Sequence, residues 1–476
     1  MSGTSLASFL SEHPFEPDAV LVTTPTRATT VRDLRTRAAA QADELRDRGV
    51  VAGEAVGVQL PNDERFVAAM FAVWLAEAVF VPLNPRMPES ERAAALESTR
   101  PAALITSGGV ERLHDPQRYD RGAAFVLWTS GTTGRPRPIV HTHVAYIELI
   151  DRVLGPLRAG SDRTEAPPTP NLIPVSLALN AGMYNVLFGL RAGAGLVIMD
   201  GFDPAQFARL VHDHAIRSSV LPPAAIAMLN DAADASTVTD LAPLRYVRSI
   251  TAPLSPLQAR RFQSRFGVTV LNGYGQAEIG EVIGWTAADA RAHPDKVGAV
   301  GRPHPGVEIR VADADDQGVG RLLVRPPSMA TGYASGDDLG SRVDDDGYLD
   351  TGDLARVDAE GFVWIQGRVG DLINRGGNKV FPEHVEEVLR LHAGVDDAAV
   401  VGRPDDRLGE VPIAFIVCDA AASPTDDELL ALCREHLVPY KVPVAFHRTM
   451  SLPRNEVGKL LRRKLVEPVD ETKGSP

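Results

Sequence analysis

Cysteine is nearly missing from this chain: Cys418 and Cys433 are the only two in 476 residues. That is too few to staple a secreted fold of this length, and the spacing suits no metal site, so both are expected to be buried free thiols. Long apolar runs are missing as well, which excludes a membrane span. The first twenty residues carry Glu12, Glu16 and Asp18 where a signal peptide would need a basic start and an apolar run. Positive charge is in deficit, with 49 Lys and Arg against 62 Asp and Glu and a net charge of −13. Such a surface disfavours a nucleic-acid backbone as partner, although a local basic site for phosphates is compatible with it. A cytoplasmic protein acting on small molecules is expected.

What is present suffices for more than one core. Hydrophobic residues make up 44% of the chain, and a length of 476 residues exceeds what a single core usually supports. Thr30 can cap a helix with apolar residues at Val31, Leu34, Ala38 and Leu45, followed by a buried strand Ala55–Leu60. A second helix from about Pro61 and a strand Val79–Val81 complete a β-α-β unit. The alternation continues: strand Leu196–Met199, helix Pro204–His214, strand Ser218–Leu221, helix Leu257–Phe266, strand Val268–Leu271. This pattern predicts an α/β fold of helix-covered, parallel-type sheets with ligands at strand ends. From Gly306 it gives way to short strands between Gly and Asp turns (Val307–Val311, Arg321–Val324, Phe362–Ile365), a β-rich subdomain. After Arg368 a smaller α+β unit begins, with a helix near Pro382 and a strand Ala398–Val401. The expected domains are residues 1–368 and 369–476. No internal repeat is visible, and the only low-complexity stretch is the polar tail after Val466.

The most informative stretch runs from Leu127 to Arg137, with hydroxyls at Thr129, Ser130, Thr132 and Thr133, glycines at Gly131 and Gly134, and guanidiniums at Arg135 and Arg137. Glycine frees backbone N–H groups to turn toward an anion, hydroxyls add donors, and arginines add charge, a combination suited to a polyphosphate. The Gly-Lys-Ser/Thr ending of a Walker A loop is lacking. Further motifs follow in order: Thr251-Ala252-Pro253-Leu254, Asn272-Gly273-Tyr274-Gly275-Gln276-Ala277-Glu278, Gly347–Asp353, Gly367-Arg368 and Leu452–Lys459, with Val79–Arg86 upstream. Together these resemble the superfamily of acyl-CoA synthetases, adenylation domains and firefly luciferase, over almost the whole chain.

The resemblance implies a large N-terminal adenylation domain and a small mobile C-terminal α+β domain, meeting at Arg368–Val369, with ATP, Mg²⁺ and CoA as the reaction partners. It assigns Thr129, Ser130, Gly131, Thr132, Thr133, Gly134, Arg135 and Arg137 to the phosphates, and Tyr274, in a Gly-Tyr-Gly turn, to adenine, with Thr251, Ala252, Pro253, Asn272, Gly273, Gly275 and Gln276 around the base. Glu278 would hold Mg²⁺, Asp353 and Arg368 the ribose, and Lys459 would bring its amine to the α-phosphate and substrate carboxylate. After adenylation the small domain would rotate and offer the Gly376-Gly377 loop to a thiol.

Several positions depart from that pattern. Arg137 stands where Lys is usual, Pro138 and Ala277 where Gly and Thr or Ser are usual, and Gly370 where the hinge commonly carries charge. His141-x-His143 and His212-x-His214 could suggest metal, but residues two apart point in different directions on a helix and no third ligand is evident; a helix-start role is expected for the first pair. The acyl pocket by resemblance, Asn171–Met199 with Pro222–Ile226, Ser249–Thr251 and Gln276-Ala277, has no Asp or Glu in its first segment. An α-amino acid is disfavoured, because its ammonium would be buried unpaired; the pocket also lacks the His common in relatives. The leading reading is a carboxylate–CoA ligase for an apolar aliphatic or aromatic acid. Alternatives are delivery to an acyl carrier protein or another nucleophile such as an amine, and a nucleotide-binding homologue without turnover, suggested by Ala277, Gly370 and Arg137.

Overall fold

The computed structural model describes residues 5–129, 137–159, 168–334, 339–418, 423–454 and 460–466. Two compact units emerge. One runs to Leu254 and adds Gln258–Glu308 and Val324–Leu349; the other takes Ser255–Leu257, Ile309–Leu323 and the described residues from Asp350 onward.

Local signals account for the first helices. Thr30 is extended, and its hydroxyl oxygen accepts from the Asp33 amide at 3.1 Å, which starts the helix Val31–Asp47. Val31, Leu34, Ala38, Ala42 and Leu45 form its buried stripe. The next helix, Glu64–Leu75, starts three residues beyond Pro61 because Asp63 is the capping side chain. It is buried almost all round, including Phe66, Phe71 and Trp74, with the Trp74 indole N–H donating to the Ala124 carbonyl at 2.7 Å. Each such aromatic contributes roughly 1.5–3 kcal/mol on full burial.

Among the described residues the first unit holds two large sheets. One has nine strands in the order Arg302–Pro303, Gly280–Gly284, Thr269–Gln276, Tyr246–Ser249, Ser218–Val220, Asn171–Ile173, Leu196–Ile198, Val20–Thr24 and Arg27–Thr30. Its centre is parallel, and both ends turn antiparallel. The other has seven strands: Gly332–Tyr333, Arg137–Thr142, Ala123–Thr129, Val79–Pro82, Ala55–Gln59, Ala103–Thr106 and Gly109–Arg112. A core of Leu172, Phe207, Ile226, Val247 and Phe262 packs helices onto the first sheet.

The second unit holds a four-stranded sheet, Glu308–Ala312, Gly320–Arg325, Leu349–Val357 and Val363–Arg368. It also holds a five-stranded one built on the long hairpin Asp397–Asp405 and Gly409–Val417. Helices Pro382–Leu389 and Asp426–His436 share a core with that sheet through Val385, Leu389, Leu429 and Cys433. The later helix has a full capping box, Thr425 with Glu428. Cys433 is buried, which pushes its thiol up to about 11, and Cys418 is half-buried; both are free. The α/β class and the β-rich segment expected from the sequence are present.

Candidate active site

Tyr274 is expected in a Gly-Tyr-Gly turn, but it lies within a strand. Thr269–Gln276 pairs antiparallel with Gly280–Gly284, and Tyr274 sits opposite Ile283 with a register shift just after it. The flanking glycines serve close backbone approach instead of a bend: a Cβ on Gly275 would stand 2.0 Å from the Gly280 carbonyl oxygen. Tyr274 is half-buried, and its hydroxyl accepts from the Gln276 amide at 3.3 Å.

The turn closing this hairpin is held at three consecutive carbonyls. The Ala277 oxygen takes the His141 Nε2–H at 2.8 Å, the Glu278 oxygen the Ala330 N–H at 2.7 Å, and the Ile279 oxygen the Arg152 guanidinium at 3.3 Å. His141 is therefore not at a helix start. It is buried on the strand Arg137–Thr142, stacked on Phe125, while the following helix starts at His143. Burial lowers the His141 pKa to about 4, with the Ala277 hydrogen bond opposing. Burial also lowers His143 to about 4; its ring accepts from the Leu6 amide at 3.1 Å. The two rings face different neighbours, and among the described residues no group of three His, Cys, Asp or Glu side chains could hold a metal.

With its backbone fixed, Glu278 points a buried carboxylate, 6% exposed, at two donors. Its Oε1 accepts from the Tyr333 hydroxyl at 3.1 Å and from Arg342 at 3.0 Å, and Arg342 also donates to the Gln276 side-chain oxygen at 3.0 Å. Burial works against the charge of Arg342, but Glu278 and Tyr333 outweigh it, so the guanidinium pKa is raised. Arg137 stacks over the Tyr333 ring at 4.0 Å from its centroid. The structure thus brings Arg137, Tyr274, Gln276 and Glu278 into one chain of contacts. Tyr333 and Arg342, which complete it, are additions to the sequence reading. A signal for Arg342 existed: it is the sole cation between Asp337 and Asp346, a stretch with five aspartates.

Thr129 and Arg137 are paired across neighbouring strands, so they mark the two ends of the glycine-threonine segment. Ser130, Gly131, Thr132, Thr133, Gly134 and Arg135 lie outside the described residues. Beyond the strand Tyr246–Ser249, Thr251 adopts φ +86°, ahead of Ala252 and Pro253. A β-branched residue with positive φ is strained, and such strain persists where the surroundings impose it. Asn272 lies within the strand Thr269–Gln276, its Oδ1 accepting from the Gly273 amide at 3.1 Å.

Within the second unit, Asp353 and Arg368 stand directly opposite on adjacent strands, and Arg368 Nε lies 3.2 Å from Asp353 Oδ1. The carboxylate is buried, 5% exposed, and its own amide donates to the Thr351 hydroxyl at 3.1 Å. Gly376 and Gly377 are the two-residue tip of a hairpin that pairs Arg375 with Asn378; their φ values of +58° and +87° fit the tight turn that only glycine adopts without strain. Lys459 lies outside the described residues, as do residues 455–458. Their flanks are well tied: Arg454 and Leu460 form an antiparallel bridge, Leu461 N–H donates to the Pro453 carbonyl at 2.8 Å, and Arg454 meets Asp397 at 2.5 Å. Arg462 is paired with Glu386, with Glu383 at 2.9 Å and with Asp371 at 3.5 Å.

The donor set suits Mg²⁺ held jointly with a substrate. Glu278 offers a buried carboxylate whose two hydrogen-bond donors both use Oε1, so Oε2 can face a cation. Mg²⁺ habitually takes one or two carboxylates and fills its octahedron with phosphate oxygens and water.

The two-unit α/β architecture and the family-model matches together place the chain among the AMP-binding enzymes. The chain belongs to the AMP-binding enzyme family, which matches residues 12–122 and 112–334, and the AMP-binding enzyme C-terminal domain matches residues 384–459. It is 29% identical to the 2-succinylbenzoate–CoA ligase of Bacillus pumilus, over 94% of this chain and 95% of that one. It is 30% identical to a feruloyl-CoA synthase of an Amycolatopsis species, with the same coverage. Among solved structures, an amide bond synthetase from Marinactinospora thermotolerans superposes with a TM-score of 0.83 at 27% identity, covering 97% of this chain and 98% of that one. The chain is an AMP-forming acid–thiol ligase, with ATP, Mg²⁺ and CoA as the reactants and metal of that chemistry. No described helix is long and apolar enough to cross a membrane.

Proposed function

We propose that this enzyme activates an aromatic or aliphatic carboxylic acid as its adenylate and passes the acyl group to CoA in the cytoplasm. The observation that supports this best is the hairpin turn at Ala277–Ile279, whose three carbonyls are each held from outside while a single buried carboxylate projects from it. Such fixation suits a carboxylate that would hold a metal ion against charge developing on phosphate without reorganising.

In this reading Arg137 and the segment Thr129–Arg135 face the β- and γ-phosphates, and Tyr274 stacks on adenine beside Thr251, Ala252, Pro253 and Asn272. Gly273, Gly275 and Gln276 complete that wall. Glu278 would hold Mg²⁺, which supplies charge neutralisation at the phosphates. Asp353 accepts both ribose hydroxyls, a task suited to the paired oxygens of a carboxylate, and Arg368 orients it. The hinge lies at Arg368–Val369, between domains of residues 1–368 and 369–476. The Lys459 amine stabilises charge between carboxylate and α-phosphate during adenylation, and Gly376-Gly377 borders the thiol path afterwards. The acid sits between Asn171–Met199, Pro222–Ile226 and Ser249–Thr251.

A second acceptor is an amine, favoured by the likeness to the amide bond synthetase; a carrier-protein thiol needs the same adenylation residues. The deciding experiment incubates the purified enzyme with ATP, Mg²⁺ and a panel of acids, with CoA or with amines, and identifies products by mass spectrometry. Acyl-CoA is expected; amides without acyl-CoA would replace the thiol with an amine. Silence in pyrophosphate exchange on every acid would leave a nucleotide-binding protein without turnover.

A further inference from the structure

A second buried charge cluster lies three residues beyond Glu278. Glu281 is 7% exposed, and its Oε1 is paired with Arg248 and with His304 Nε2 at 3.2 Å. Its other oxygen, Oε2, is buried without a hydrogen-bond partner. The backbone makes room for this carboxylate: a Cβ on Gly273 would stand 3.0 Å from Oε1, and one on Gly284 only 2.5 Å. Tyr184, on the helix Asn180–Arg191, presents a second orphan, a buried hydroxyl with no partner; burial above all, and then the charge of Glu281, raise its pKa. Burial opposes the charge of Glu281, but Arg248 and His304 outweigh it, so the carboxylate stays ionised.

An ionised oxygen buried without a donor is costly, as is a buried hydroxyl without a partner. Two such atoms, one on the helix Asn180–Arg191 within the proposed acid site and one held by Arg248 next to Ser249 of that site, call for a ligand group that both donates and accepts. We infer that the acid carries a hydroxyl group remote from its carboxylate, which donates to Glu281 Oε2 and accepts from the Tyr184 hydroxyl. This inference rests on the acid-activation reading above and specifies its substrate class: a hydroxylated, predominantly apolar carboxylic acid. Arg248 and His304 hold the carboxylate in place. The segment Asn171–Met199, free of Asp and Glu, supplies the apolar walls, and the acidic end comes from a strand a hundred residues further along.

The test measures pyrophosphate release with matched acids, 3-(4-hydroxyphenyl)propanoate against 3-(4-methylphenyl)propanoate and 4-hydroxybenzoate against 4-methylbenzoate. The enzymes are wild type, Tyr184→Phe and Glu281→Gln, each checked for an intact thermal transition. The hydroxylated member of at least one pair is expected to have a kcat/KM about 10–100-fold higher. Tyr184→Phe removes only an oxygen that has no partner in the free protein, so it serves even if Glu281→Gln fails to fold. It should cut the hydroxyl-to-methyl preference about tenfold. Equal rates within both pairs, or a preference unchanged by Tyr184→Phe, would overturn the inference while leaving acid activation standing. Release from no acid at all would overturn both.

Discussion

His141 offers a quantitative check on the clamp that fixes Glu278. Its ring is buried and its pKa is lowered from 6.5 to about 4, so the folded protein resists a proton that the unfolded chain accepts. Because the folded value lies below the unfolded one, the stability associated with a neutral ring is complete above pH 6.5 and is lost as pH falls toward about 4. At about 1.36 kcal/mol per pKa unit the loss is capped at about 3 kcal/mol, of which about 2 kcal/mol is reached by pH 5. The perturbation is His141→Gln, whose side-chain N–H can still reach the Ala277 carbonyl but does not titrate. His143 and all carboxylates are common to both proteins, so their contributions cancel in the comparison. Urea unfolding followed by tryptophan fluorescence at pH 7.5 and pH 5 should show wild type losing about 2 kcal/mol more than the variant across that interval. Equal losses in the two proteins would mean that His141 is charged or solvated at pH 5, and the clamp as described would be wrong.

Lys459→Ala should suppress adenylate formation strongly, by about 100-fold or more, while thioester formation from supplied acyl-AMP falls far less. Equal loss in the two half-reactions would remove the amine from the adenylation step. Asp353→Ala should raise the KM for ATP at least about tenfold with a smaller change in kcat, as expected when a ground-state contact is lost; an ATP dependence identical to wild type would reject ribose binding. Arg462→Met removes the counter-charge of half-buried Glu383 and leaves buried Glu386 only the more distant Arg390 at 3.8 Å, so the second unit should lose about 3–5 kcal/mol. A melting transition unshifted from wild type would show that these carboxylates relax to solvent.

Much of the architecture was legible because helix and strand periods alternate along the first three hundred residues. Thr30 and its apolar stripe at Val31, Leu34, Ala38 and Leu45 gave a helix that the structure contains. Asp63 was missed as a cap because Pro61-Asn62 offered an equally good start two residues earlier. Tyr274 was placed in a turn because glycine on both sides signals a bend, yet there the glycines admit a crossing backbone. His141 was misread for a related reason: its role depends on Ala277, 136 residues away, and no local pattern encodes that contact. Arg342, Tyr333 and Glu281 share this cause. Their partners lie far off in sequence, so motif order does not name the side chains that pair around this hairpin.

The bridge between Arg454 and Leu460 has a mechanical consequence. Arg454 also reaches Asp397, and Arg462, two residues past Leu460, is paired with three carboxylates. Leu460 is thereby anchored from both sides, so its stretch of backbone should exchange amide protons only when the strand Asp397–Asp405 or the helix Pro382–Leu389 opens with it.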